Sequence, residues 1–436
     1  ASDSDFRNSG FSRGHLVPAA DLASNPEALR QSFYLSNAIP QNPALNSGKW
    51  NQLESRIRRL ASNSDFAIVI TGPIFGAIMD FSAAKKKFLF MSYMLTVVST
   101  CSLFLVSPGM EVLGVVLLII SNFGFAAGES FVASFLPSLG EKEELGKISG
   151  IAWGIGYLGG LVSVILVGLL GSVEIENFER LRYVGPMTGI FFMVAAIPTF
   201  LWLREPGVAH GLPQGQSYLG VGFARLRQTL SEVKDFRDLG IFFVSLFFAS
   251  AGLSIVISFA FTYGAQVIHW TDATKTMMFV ITQFTALFGA LGFGYLQDKI
   301  GAKITYMMTL VLWIIAIICI FLTDSIAASL GVKPEQAFLI VGCLAGAGLG
   351  ATQSAGRALV GVFSPESKAG EFFGLWGLIG KLAAAIGVFG VAALQTQLGL
   401  RLAILFCALL FVAGLLFVIP VNEKRGQAAA EKHEGE

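Results

Sequence analysis

The stretch Gly76-Ala-Ile-Met-Asp80-Phe-Ser-Ala83-Ala-Lys85 returns later in the chain as Gly294-Tyr-Leu-Gln-Asp298-Lys-Ile-Gly301-Ala-Lys303. Glycine, aspartate, a small residue and lysine recur at one spacing in both copies. Each copy ends an apolar run and leads into basic residues, so each is read as the end of a helix and the loop after it. A pair of such copies predicts two homologous halves, a plan found in many membrane proteins built from internal repeats.

The surrounding composition supports a bilayer setting. Of 436 residues, 54% are hydrophobic and only 14% charged, and the mean hydropathy is +0.68. A soluble protein carries about 25% charged residues; the deficit follows if much of the surface faces hydrocarbon. The 38 phenylalanines and 49 glycines fit the same setting, since glycine lets membrane helices approach closely. A net charge of +1 gives no sign of an acidic or nucleic-acid partner. Cys101, Cys319, Cys343 and Cys407 all fall in apolar stretches and read as small buried hydrophobes, neither disulfides nor a zinc site. No secretory signal peptide is visible, and the chain begins at Ala1 without Met, which is read as the start of a fragment.

From Phe66 onward, apolar runs long enough to cross a bilayer follow one another. They are placed at 87–106, 110–136, 148–170, 185–203, 240–263, 276–297, 304–323, 336–357, 371–395 and 401–421, with a shorter apolar segment at 66–79. The expected fold class is an all-α polytopic membrane protein of two helical bundles, preceded by a polar N-terminal segment that the second resemblance given below implies to be small and α+β. Alternation puts Lys85, Lys86, Lys87, Lys142, Lys147, Arg204, Arg225, Arg227, Lys234, Arg237, Lys299, Lys303, Lys424 and Arg425 on one side. The other side receives Arg180, Arg182, Lys275, Lys333 and Arg401. The positive-inside rule makes the first side cytoplasmic.

The repeat also exposes a defect. Six spans follow the central loop, whereas the first half holds five once the short segment before Asp80 is counted. The first helix is missing and the next is shortened. The domains are read as 1–71, a polar N-terminal segment; 72–203, an incomplete first bundle; 204–238, a cytoplasmic central loop; 239–422, a six-helix second bundle; and 423–436, a charged, disordered tail.

Polar residues inside spans are costly and default to functional candidates. Glu129 and Asn122 lie two turns apart on one helix face and are candidates for a coupling proton or substrate contact. The alternative for Glu129 is a structural hydrogen bond. Lys381 sits too deep to snorkel easily, and suits an anion or an acidic partner. Gln353 and Arg357, one turn apart, suit a structural pair near the cytoplasmic end. Asp80 and Asp298 are expected to hold gate contacts there, and Gly370, Gly374, Gly377 and Gly380 to let helices pack tightly.

The paired motif resembles the loop signature of the major facilitator superfamily. Gly72-Pro-Ile-Phe-Gly-Ala-Ile-Met-Asp80 with Lys85-Lys-Lys87 is similar to its vacuole effluxer-like branch. So are Gly150-Ile-Ala-Trp-Gly-Ile-Gly-Tyr-Leu-Gly-Gly160 and Ser364-Pro-Glu-Ser-Lys-Ala-Gly-Glu-Phe-Phe-Gly-Leu-Trp-Gly-Leu-Ile-Gly-Lys381. The resemblance covers residues 72–422. It implies alternating access of two bundles around a central site, for a small solute with a proton as candidate coupling ion. The first copy departs from the family's usual Gly-Arg, carrying Ala83-Ala84.

Residues 10–75 resemble another family. Gly10-Phe-Ser-Arg-Gly-His-Leu-Val-Pro-Ala-Ala-Asp21, Phe33-Tyr-Leu-Ser-Asn37, Leu45-Asn-Ser-Gly-Lys-Trp-Asn-Gln-Leu-Glu54 and Ile68-Val-Ile-Thr-Gly-Pro-Ile-Phe75 are similar, in order and spacing, to the core of DNA/RNA non-specific endonucleases of the endonuclease G-like, ββα-metal type. The resemblance implies His15 as general base, Asn46 as the protein ligand of a hydrated Mg²⁺, Glu54 orienting metal-bound water and Arg13 stabilising the phosphate. Ser12 stands where that family often has Asp. The family's domain is far larger than this stretch, so weak or no catalysis is expected. Both resemblances share Gly72-Pro-Ile-Phe75, which marks the joint.

The leading reading is a secondary transporter, a monomer in a bacterial inner membrane with its C-terminus cytoplasmic. The rivals are a membrane-anchored, Mg²⁺-dependent nuclease acting on nucleic acid, and a non-functional chimera.

Overall fold

The structure, a computed structural model, describes residues 12–15, 38–41, 72–107, 109–171, 177–212, 215, 217–231 and 234–434. Near the N-terminus, strands β1 (Ser12–His15) and β2 (Ala38–Gln41) pair antiparallel, with Arg13 opposite Pro40 and His15 opposite Ala38. The other described elements are helices. In chain order the longer helices are α1 (72–82), α2 (Lys85–Ser102), α3 (Glu111–Ala133), α4 (Leu145–Gly168) and α5 (Val184–Trp202). After them come α6 (Tyr218–Ser231), α7 (Arg237–Tyr263), α8 (Asp272–Ile300), α9 (Ala302–Phe321) and α10 (Pro334–Phe363). The chain closes with α11 (Ala369–Leu398), α12 (Leu400–Val418) and α13 (Glu423–Lys432).

Among the described residues, ten helical stretches are long and apolar enough to cross a membrane, and they match the ten expected spans. The two most hydrophobic, Ala302–Phe321 and Leu400–Val418, hold 20 and 19 residues. At about 1.5 Å per residue each reaches about 30 Å, the thickness of the hydrocarbon core. Large side chains such as Ile165, Phe288, Phe389 and Leu409 point outward from these helices. Water would penalise that arrangement; lipid does not.

The helices fall into two related halves, α1–α5 and α7–α12. In the first, α2 packs on α3 and α5; in the second, α9 packs on α10 and α12. Between halves, α11 meets α3 and α4 meets α10, again as counterparts. The repeated motif puts α1 in register with α8. On this plan α7, which packs along α11 and α12, has no partner in the first half among the described residues.

The two motif loops also share a positive φ at one position. Gly301 has φ +95° and Ala83, at the same motif position, φ +45°. The left-handed region costs an L-residue with a Cβ roughly 1–2 kcal/mol more than glycine. Ala83→Gly is therefore expected to stabilise the protein by about 1 kcal/mol, read as a higher thermal midpoint in detergent; an unchanged or lower midpoint would count against strain at Ala83.

Two regions depart from expectation. The tail read as disordered begins with α13, capped by the Asn422 side chain, which accepts from Arg425 N–H at 3.0 Å. Its Glu, Ala and Lys residues are good helix formers, and docking supplies the rest. Gly426 lies against the Phe363 ring, and the His433 ring meets that of Phe236 at 4.9 Å. The central loop likewise contains a helix, α6, with Val221 and Thr229 buried.

Candidate functional site

Asp80 and Asp298 bind in the same way, each to a helix of the opposite half. The Asp80 carboxylate accepts from the backbone N–H groups of Gly370 and Glu371, at 3.0 Å each, at the start of α11. Both oxygens of Asp298 accept from Lys147 N–H at 3.2 Å, at the start of α4. Free N–H groups and the helix dipole make such a terminus a good seat for an anion. Lys85 also reaches Asp80, with Nζ 2.9 Å from the carboxylate; the two side chains are 3% and 0% exposed. Close backbone contact is a condition of this seam. A Cβ on Gly76 would run into the carbonyl of Gly370, and one on Gly150 into that of Ala290.

Two further carboxylates extend the symmetry. Glu205, just after α5, accepts from Lys85 N–H and Lys86 N–H at 2.6 and 2.7 Å, capping α2. Glu423, just after α12, accepts from Ala302 N–H and Lys303 N–H at 3.0 Å, capping α9. Each half thus ties its end to its own middle on the same face as the motif aspartates. Arg425 adds a forked contact to Asp238, at 2.6 and 2.7 Å. That carboxylate holds the Arg425 guanidinium above its ordinary pKa.

Deeper in the seam lie two adjoining cavities of about 360 and 240 Å³, both lined by Glu129, Trp153, Arg357 and Trp376. Gln353 and Lys381 line the second alone. The polar contacts here cross between halves. Lys381 Nζ of α11 stands 3.5 Å from Glu129 of α3, both side chains partly open at 41% and 32%. Arg357 of α10 donates to Oγ and the carbonyl of Ser149 on α4, at 3.1 and 3.0 Å. Its guanidinium lies over the Trp153 ring, 5.5 Å from the centroid. Tyr157 of α4 donates to Gln353 Oε1 at 2.6 Å. The indole N–H of Trp153 is buried with no hydrogen-bond partner. A buried donor left unpaired is costly, and a ligand acceptor would relieve it.

Of the residues singled out from sequence, Glu129, Lys381, Arg357 and Gln353 meet in this region, while Asn122 does not. It shares the face of Glu129 but lies about 10 Å further along the helix, exposed and outside the cavity lining. Arg357 and Gln353 do not pair with each other; each binds across the seam. Gly370 and Gly374 pack against Gly76 and Gly72, and Gly377 against the Ser130 hydroxyl, whereas Gly380 meets no neighbour and lines the cavity. Trp153, Trp376, Tyr157, Glu205 and Glu423 were not anticipated. The aromatics sit in the quoted glycine-rich runs, which was the available signal; the two glutamates carry none. His15 and Arg13 fall on β1, while Asn46 and Glu54 lie outside the described residues, as does the magnesium site implied through them.

Comparison with known proteins identifies the family and the fold. The family described as vacuole effluxer Atg22 like matches residues 46–431, and DNA/RNA non-specific endonuclease matches residues 1–88. The two matches overlap over residues 46–88, a range that includes Gly72–Phe75. An uncharacterized MFS-type transporter of Bacillus subtilis (strain 168) is 23% identical over 368 residues, 83% of each chain. Autophagy-related protein 22 of Coccidioides immitis (strain RS) is 24% identical, covering 82% of this chain and 70% of the relative. Human mitochondrial endonuclease G is 45% identical over 75 residues, 17% of this chain and 25% of its own length. This chain therefore spans about a quarter of that nuclease. Among solved structures, the fucose:proton symporter of E. coli superposes with a TM-score of 0.60 at 14% identity, covering 84% of this chain and 94% of the symporter. The two halves, the ten spans and the family match lead to one conclusion: the chain belongs to the vacuole effluxer Atg22-like family, and it is an integral membrane transporter of the major facilitator type with an endonuclease-like N-terminal segment.

Proposed function

We propose that this transporter moves a small anionic or carboxylate-bearing solute by alternating access, with the cavity around Glu129, Arg357 and Lys381 as the binding site. The carrying observation is that the cavity's ion pair joins the two halves, Glu129 to Lys381 across 3.5 Å. Rocking of one half against the other must break that pair, and a bound solute that contacts both halves can take its place. Two cations face one carboxylate, which leaves a net positive charge where solute would sit. Arg357, Lys381 and the unpaired Trp153 N–H are the assigned anion contacts. Glu129, the one acid among the described residues lining either cavity, is the assigned carrier of a coupling proton. Asp80 and Asp298 are the assigned gate, and the many basic residues of that face support a cytoplasmic side, for instance of a bacterial inner membrane. The test is a thermal-shift screen of the detergent-purified protein against small carboxylates, phosphates, zwitterions and neutral sugars. Stabilisation by sugars alone would sink the anion assignment.

We further propose that the nuclease-like segment is catalytically silent, because it carries so small a share of the relatives it matches. Purified full-length protein is expected to leave plasmid DNA intact in the presence of Mg²⁺. Degradation that disappears with His15→Ala would overturn this and favour the hydrolase reading.

A further inference from the structure

The Asp80 and Asp298 seams are built alike with one difference. Glu371, whose N–H donates to Asp80, is itself fully buried, and its carboxylate is held from outside both bundles. Arg225 of α6 donates from Nε to Glu371 at 2.9 Å, and the Thr229 hydroxyl of α6 donates to the other carboxylate oxygen. The same helix lies on the opposite half. A Cβ on Gly222 would stand 2.9 Å from the Ile78 side chain and 3.1 Å from the Ile74 carbonyl of α1. Just upstream, His210 N–H donates to the Phe81 carbonyl at 3.0 Å. So α6 bridges α1 and α11 at the place where the halves touch.

The Asp298 seam has no such bridge among the described residues. Lys147 stands where the other seam has Glu371, one residue after the glycine that meets the aspartate, and its ammonium faces the Tyr295 ring at 6.0 Å.

We propose that α6 is a strap which locks the gate, and that Arg225 and Thr229 are positioning residues acting through Glu371. Opening that face separates α1 from α11, and α6 cannot follow both. It must release either Gly222 from α1 or Glu371 from α11. Releasing Glu371 strips a buried carboxylate of its cation and hydroxyl, next to the buried Asp80, so the strap holds the closed form. A further ion pair between the halves on this face is weaker. Lys142 meets Glu431 and Glu434 of the C-terminal segment at 3.5 and 4.0 Å, with both glutamates exposed, and exposed pairs contribute little.

The inference rests on the alternating-access reading, and its test separates the two. Spin labels on Leu139→Cys and Lys299→Cys, both exposed on the gate face of opposite halves, report the gap in full-length protein whose native cysteines are replaced by alanine. Arg225→Gln and Glu371→Gln are each expected to raise the long-distance population on the order of tenfold, while Lys142→Gln leaves it unchanged. Glu371→Gln keeps the test alive if Arg225→Gln fails to fold, because the charge it leaves without a counter-ion, Arg225, is partly exposed whereas Glu371 is enclosed. Asp80→Asn serves as the control for gate opening. If it opens the gap and neither strap variant does, the strap is wrong and alternating access stands. If Asp80→Asn also leaves a single distance, alternating access fails and the strap falls with it.

Discussion

Asp80→Asn is expected to open the gate face and to do so far more strongly than Asp298→Asn, although the two aspartates occupy twin positions. The difference lies in what each leaves behind. Asp80 neutralises Lys85 at 2.9 Å with both side chains enclosed, and the remaining contact of that ammonium is the Glu366 carbonyl at 3.4 Å. Breaking a buried pair by removing one partner costs about 3–5 kcal/mol. That is roughly a hundredfold or more in the balance between closed and open forms, at about 1.4 kcal/mol per factor of ten. Asp298 sits at 3.2 Å from a backbone N–H and has no enclosed lysine partner. Its loss removes a charge from a helix end, about 1 kcal/mol. The inter-label distance on the gate face measures both, and comparable shifts in the two variants would refute the ranking.

Arg357→Gln is expected to abolish solute-dependent stabilisation and to lower uptake by roughly a hundredfold or more. Its guanidinium is the one cation of the cavity fastened on both sides, by Ser149 at 3.1 and 3.0 Å and by the Trp153 face. A charge already oriented and partly desolvated binds an anion without further ordering, and a charge-assisted contact is worth about 1.5–3 kcal/mol. Truncating one member of such a buried charge contact costs about 2–5 kcal/mol. Lys381→Gln is expected to be milder, since that side chain is long, more open and held by one contact. Normal ligand stabilisation in Arg357→Gln would remove Arg357 from the site.

The central polar residues were legible to different degrees. Glu129 and Lys381 stood out because a charge in an apolar run has few explanations, and the structure brings them together from helices far apart in the chain. Asn122 shared the helical face of Glu129, yet periodicity fixes direction around an axis and says nothing of where a cavity ends along it. Trp153 and Trp376 carried no signal of their own, since a tryptophan in a membrane helix is ordinary until its neighbours are known. Glu205 and Glu423 were invisible for a related reason. Each caps a helix that begins over a hundred residues away, and no local pattern encodes so distant a partner.

The tail shows the opposite failure. Glu423–Lys432 reads as solvated charge, and charge density alone favours disorder. Arg425 finds Asp238 and Gly426 finds Phe363 only because the second half presents both at one place.

From the residues alone followed the spans, the two-half plan and the pairing of Asp80 with Asp298, because hydropathy and repeat spacing act along the chain and the bilayer enforces them locally. Tertiary structure decided which helix ends those aspartates cap, that the cavity's charges meet across the seam, and that α6 lies over Glu371. Those are contacts between segments remote in sequence, set by packing.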